Sequence, residues 1–113
     1  MIADVVSLSS YEFQVRTLLT EDERMAMEFF IACAPDAHPV IPGTGGFRKA
    51  RWARSGGGKS GGFRTIFFFV AEPGRIYLAM IYPKSQRANL SASDRAVLAT
   101  LSAAIKSESR GSR

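Results

Sequence analysis

The sequence predicts an α+β fold. Three observations carry that expectation. Apolar residues recur at helical spacing in two segments before Pro35 and in one after Ser91. Three runs rich in aromatic and β-branched residues fill the stretch between Phe47 and Tyr82. Prolines and glycines separate all of these segments. Helices grouped before and after an antiparallel meander are the mark of this class. At 113 residues, 46% of them apolar, the chain is sized for a single domain over 1–113, with enough apolar material for one core.

In order, Met1–Ser7 alternates around Val5 and Val6 and is expected to form a short edge strand. From Ser9 or Ser10 to Leu19, the residues Tyr11, Phe13, Val15, Leu18 and Leu19 fit a short helix. Thr20-Glu21-Asp22-Glu23 is a capping box for a stronger one, and its acids suit the positive end of the helix dipole. Met25, Phe29 and Cys33, with Ala26 and Phe30 beside them, make an apolar stripe expected to face the core. Cys33 is accordingly read as a small core residue. Pro35, Pro39 and Pro42 end the helix and open a connector.

Phe47–Arg54 reads as a strand with Phe47, Lys49, Arg51 and Ala53 on one face and Arg48, Ala50, Trp52 and Arg54 on the other. Ser55–Gly62 is too glycine-rich for regular structure and is expected to be a flexible hairpin loop. Phe63–Ala71 is nearly continuous in aromatic and β-branched residues, which implies burial on both faces. A turn at Glu72–Arg75 and a strand at Ile76–Tyr82 complete the meander. Ser91-Ala92-Ser93-Asp94 opens the last helix as a weaker capping box, because aspartate is shorter than the usual glutamate. Val97, Leu98, Leu101 and Ile105 form its apolar stripe, and fraying is expected from Ser107.

Charge is distributed unevenly. Residues 1–36 hold seven acids against two cations, a net −5; residues 37–113 hold thirteen cations against three acids, a net +10. No acid occurs between Asp36 and Glu72, and six cations crowd Gly43–Arg64. Such a segment is built to hold a polyanion.

Several chemistries do not fit. A single cysteine excludes an internal disulfide, and one histidine excludes a Cys/His metal cluster, so no metal or cofactor is expected. Gly58-Lys59-Ser60 lacks the preceding P-loop glycine, since Ala53 stands there, and a strand rather than a helix follows. His38 lies among prolines and is read as structural. No 18-residue apolar run or secretory leader is visible, which leads to the expectation of a cytoplasmic protein without a membrane partner. RNA can still be cut by such a chain. The 2′-hydroxyl of RNA is its own nucleophile, so the protein need only orient it, accept a proton and stabilise the charged phosphorane. Fixed arginines and lysines can do the last, and a lysine whose pKa neighbouring cations lower can accept the proton.

Val40-Ile41-Pro42-Gly43-Thr44-Gly45-Gly46-Phe47-Arg48-Lys49-Ala50-Arg51, then Gly58-Lys59-Ser60-Gly61-Gly62-Phe63-Arg64, then Ile81-Tyr82-Pro83-Lys84, together resemble the RelE/ParE toxin superfamily, and most closely its HigB-like branch. The resemblance implies a compact microbial RNase fold and metal-independent cleavage of translated mRNA on the ribosome. It implies an antitoxin partner, often of helix-turn-helix, HigA-like type. By the same resemblance, Arg64, Lys49 and Arg51 are the catalytic candidates. Arg48, Arg54, Lys59, Lys84 and Arg87 are candidates for RNA or ribosome binding. No tyrosine follows Arg87, where some members of the superfamily place one to stack on a base. Two other readings stay open: a ParE-like inhibitor of DNA gyrase, and a non-catalytic RNA-binding module.

Overall fold

The computed structural model describes residues 2–54, 62–87 and 89–111. Its elements follow the expected order: β1 (Asp4–Ser7), α1 (Ser9–Leu18), α2 (Glu21–Cys33), a short 3₁₀ turn at Pro35–Ala37, β2 (Arg48–Ala53), β3 (Gly62–Val70), β4 (Arg75–Pro83) and α3 (Ala92–Gly111). The four strands form one mixed sheet in the order β1-β4-β3-β2. β1 is an edge strand, as its brevity suggests, and runs parallel to β4. The other two pairings are antiparallel. Lys59 and nearly all of the expected Ser55–Gly62 loop lie outside the described residues; Gly62 itself already belongs to β3. The backbone of α3 stays helical to Gly111, beyond the expected fraying point at Ser107.

Two cores sandwich the sheet. On one face Tyr11, Val15, Met27 and Ile31 of α1 and α2 pack on Phe63, Phe67, Leu78 and Ile81. On the other, Leu98 and Ile105 of α3 pack with Phe47 on Ile66, Phe68 and Tyr77. Burial on both faces explains the unbroken apolar run of β3. A register shift between Ile66 and Phe67 places an irregularity in the β3–β4 ladder. Beyond the end of β1, α1 closes the exposed edge of β4: Ser10 Oγ donates to the Ala79 carbonyl and the Ile81 amide donates to Gln14 Oε1. Those side chains replace the missing strand and satisfy backbone groups that would otherwise lack partners.

Both capping boxes are present. Thr20 Oγ1 accepts from the Glu23 amide while the Thr20 amide donates to the Glu23 carboxylate. Asp94 proves long enough to do the same with Ser91, at 3.0 and 3.1 Å.

Helix rotation departs from expectation. Met25, Phe29, Phe30 and Cys33 face solvent, and Met27, Ile31 and Ala32 are the residues of α2 that enter the core. Cys33 is therefore exposed rather than a core residue. Phe13, at 78% exposure, and Val97 likewise leave their expected stripes. The rotation of α2 is set by a polar network. Arg24 donates to Glu12 on α1 and Glu28 on its own helix, at 2.6 and 2.8 Å, and reaches Ser7 Oγ of β1. Tyr11 Oη donates to the same Glu28 at 2.6 Å. This network points Arg24 and Glu28 at α1 and so turns the Met25–Phe29 side outward.

The network makes a pH prediction. Hydrogen bonding to Arg24 holds the Glu12 carboxyl at about 2, below its ordinary 4.5. A carboxylate depressed in the folded state contributes stability above its unfolded pKa and loses it as the pH falls through the folded one. Wild-type protein should hence shed stability over a fall from about 4.5 to about 2 more steeply than Glu12→Gln. Melting temperatures of the two proteins across that interval check this, and parallel curves would remove Glu12 from the acid response.

The Pro42–Phe47 turn is locked onto α3. Thr44, fully buried, donates to the Ile41 carbonyl and accepts from the Phe47 amide. Gly45 has φ +76°, and a Cβ there would lie 2.6 Å from Ser102 Oγ, the atom that donates to the Gly45 carbonyl. Gly45→Ala combines left-handed strain with that collision and should cost about 1–3 kcal/mol or more. Gly74→Ala carries backbone strain alone, since its nearest neighbour is at 3.9 Å. Denaturant midpoints should fall further for Gly45→Ala.

Candidate nucleic-acid interface and active site

Strand alternation brings the central cations together. Arg51 pairs across with Arg64, and Lys49 lies two residues along β2 on the same face. Arg64 pairs in turn with Tyr82 of β4. All four share the face covered by α3, since Ile66 and Phe68, which alternate with Arg64 on β3, belong to that core. α3 and the glycine turn cover the far end of the face, leaving the near end open. There a cleft of about 300 Å³ is lined by Arg51, Trp52, Ala53, Gly62, Arg64 and Lys84.

The electrostatics are one-sided. No described acid forms an ion pair with Lys49, Arg51, Arg64 or Lys84. Burial pushes the Lys49 amine down, and Arg51, Arg64 and Arg95 push it further. Arg64 is half-buried, with one guanidinium nitrogen donating to the Phe63 carbonyl at 3.3 Å. Behind it Tyr82 is buried, and its hydroxyl has no hydrogen-bond partner among the described residues. Burial raises the Tyr82 pKa, against the lowering influence of Arg87 and Arg64.

Arg87 sits over the Tyr82 ring at 5.0 Å and is ion-paired to Asp94 at the start of α3. It borders the site with its charge partly compensated. Arg48 and Arg54 are not brought to this face. Arg48 donates to the His38 carbonyl at 2.7 Å, and Arg54 donates to the Leu18 carbonyl and lies 3.4 Å from Glu23. Both anchor β2 to the connector and helices on the opposite side. His38 packs edge-on between Phe30 and Phe67, and burial and the nearby Arg48 lower its pKa.

Arg95 was not anticipated. It ends the first turn of α3, its side chain reaches Gly43, and its charge depresses Lys49. One sequence signal was available: a cation near a helix N-terminus opposes the dipole and needs an external reason to be there.

The comparisons with known proteins agree with this geometry. The profile of the RelE toxin of RelE/RelB toxin–antitoxin systems matches residues 43–111, more than half of the chain. The chain belongs to the RelE toxin family. The matched span contains the glycine turn, all three meander strands, the cation cluster and α3. Among solved structures, a mutant of the E. coli toxin RelE in the free state superposes with a TM-score of 0.55 at 13% identity, covering 78% of this chain and 90% of that one. At that identity the likeness establishes the RelE fold and nothing finer. Family membership makes the chain a toxin of a toxin–antitoxin system, with an antitoxin as partner. Among the described residues of this RelE-family toxin, no helix is long and apolar enough to cross a membrane, and no group of three or more His, Cys, Asp or Glu could hold a metal ion.

Proposed function

We propose that the chain is a ribosome-dependent mRNA endonuclease that cleaves translated message without metal and so arrests translation in the cytoplasm. RelE-family toxins are endoribonucleases. The observation that carries the finer reading is the placement of Lys49, Arg51 and Arg64 on one face, beside an open cleft, with no acid ion-paired to them among the described residues.

In this mechanism Arg51 and Lys84 neutralise backbone phosphates and Arg64 holds the scissile one. The 2′-hydroxyl gives its proton to the neutral amine of Lys49, and its oxygen bonds to phosphorus. Charge gathers on the phosphorane oxygens, where Arg64 stabilises it. The bond from phosphorus to the 5′ oxygen then breaks, that oxygen takes a proton from solvent water, and a 2′,3′-cyclic phosphate remains. Trp52 borders the cleft, with its ring packed toward Phe63 and the α1–α2 core on the other face. Lys59, by its sequence position, would add a phosphate contact. The cognate antitoxin is of helix-turn-helix, HigA-like type, and an acidic segment of it would compete with RNA for the cluster.

Induction of the protein in cells, followed by primer-extension mapping of transcript ends, tests this reading. New 5′ ends inside translated messages are expected, and they should vanish when ribosomes are kept off the message. Intact transcripts with arrested replication would replace the reading by gyrase inhibition. Intact transcripts with RNA binding and no toxicity would make the chain a binding module.

A further inference from the structure

The outer side of α2 is apolar and uncovered. Met25, Phe29 and Cys33 lie four apart, with Ala26 and Phe30 four apart beside them, so the five form one continuous helical face. Met25 and Phe29 are 63% and 58% exposed, and neither belongs to either core. The Ala3 amide donates to the Ala32 carbonyl, which brings the neighbouring Ile2, also exposed, beside the C-terminal end of α2. Contiguous apolar surface of this kind marks a docking site more often than chance exposure.

Charge says what docks there. Exposed Glu21 and Asp22 stand at one end of the stripe and exposed Asp36 at the other, none in an ion pair among the described residues. The only cation of α2, Arg24, is turned inward between Glu12 and Glu28. An acid-rimmed apolar stripe repels a second copy of itself, because like charges would meet across the twofold axis. It is complementary to an amphipathic helix with apolar anchors at i, i+3 or i+4 and i+7 and with flanking lysines or arginines.

We infer that this face of α2 docks a basic, amphipathic helix of the antitoxin. The inference rests on the family reading for the identity of the partner and is independent of RNA cleavage. α2 packs on the sheet face opposite Lys49, Arg51 and Arg64. The toxin thus offers two surfaces of opposite sign on opposite sides. A helix seated on α2 leaves the basic cleft open, and a different antitoxin segment must close it.

The test titrates the full-length protein with two synthetic helical peptides that share one leucine stripe, one flanked by lysine and arginine and the other by glutamate. The basic peptide should bind with an affinity that falls as salt is raised. Phe29→Ser and Met25→Ser should each weaken it roughly tenfold, as loss of an anchor does. Their melting temperatures should stay at or above that of the parent. The acidic peptide should bind only in a manner indifferent to Phe29→Ser, because its site is the cation cluster. Equal, Phe29-dependent binding of both peptides would overturn the charge argument. Absence of any Phe29-dependent binding would overturn the surface, as would a dimer of the free protein dissociated by Phe29→Ser. Cleavage of RNA by the Phe29→Ser variant should match the parent. Peptide binding without cleavage by either protein would leave the surface standing and remove the nuclease reading instead.

Discussion

Arg64→Ala should abolish growth inhibition and slow RNA cleavage about 10²- to 10³-fold, the usual cost of removing one fixed donor from a developing oxyanion. The protein should remain folded. Among the described residues Arg64 makes no ion pair, and its side-chain hydrogen bond is a 3.3 Å contact to the neighbouring Phe63 carbonyl, so truncation leaves no buried partner stranded. Removal also relieves repulsion with Lys49, whose amine Arg64 helps to depress. Stability should then be unchanged or slightly raised, while activity collapses. Transcript-end mapping together with a thermal melt reads both quantities on the same variant. A soluble Arg64→Ala protein that still cuts message and arrests growth would take Arg64 out of the site.

The fold was readable because most of its signals are local. A capping box needs four residues, and both boxes closed as written, even with aspartate in place of glutamate at Asp94. The strand alternation of β2 likewise separated Lys49 and Arg51 from Arg48 and Arg54 correctly. Composition then counted all four as one basic patch, and it could not register that two of them are bound to backbone carbonyls on the far side. The rotation of α2 was not local information. Met25, Phe29 and Cys33 make one apolar stripe and Met27 and Ile31 make a second, so periodicity alone cannot choose between them. The choice is made by Arg24 and Glu28 reaching α1. Arg95 was hidden for a related reason: only the packing of α3 on the glycine turn carries it to Lys49.

Lys49 yields the second large effect and the sharper mechanistic one. Lys49→Met should lower cleavage roughly 10²- to 10⁴-fold, the range for loss of a positioned acid–base group. Lys49→Arg should not restore it, because a guanidinium keeps the charge but stays protonated and cannot accept the 2′-hydroxyl proton. The pH dependence has a definite sign. Only the neutral amine accepts a proton, and its share grows with pH, levelling off once the pH passes above the pKa of the group. Burial, with Arg51, Arg64 and Arg95, puts that pKa below the ordinary 10.5. The single-turnover rate should therefore rise with pH and level off earlier than an unperturbed lysine would allow. Arg95→Ala removes one of the depressing charges without touching β2, so its inflexion should move to higher pH. A structural role for Arg95 would alter the amplitude of the profile and leave its midpoint in place. If the wild-type rate is flat in pH, or Lys49→Arg cleaves as well as the parent, Lys49 is a phosphate contact and the proton goes elsewhere. The buried Tyr82 hydroxyl, without a hydrogen-bond partner among the described residues and paired across the sheet from Arg64, is then the group to replace next.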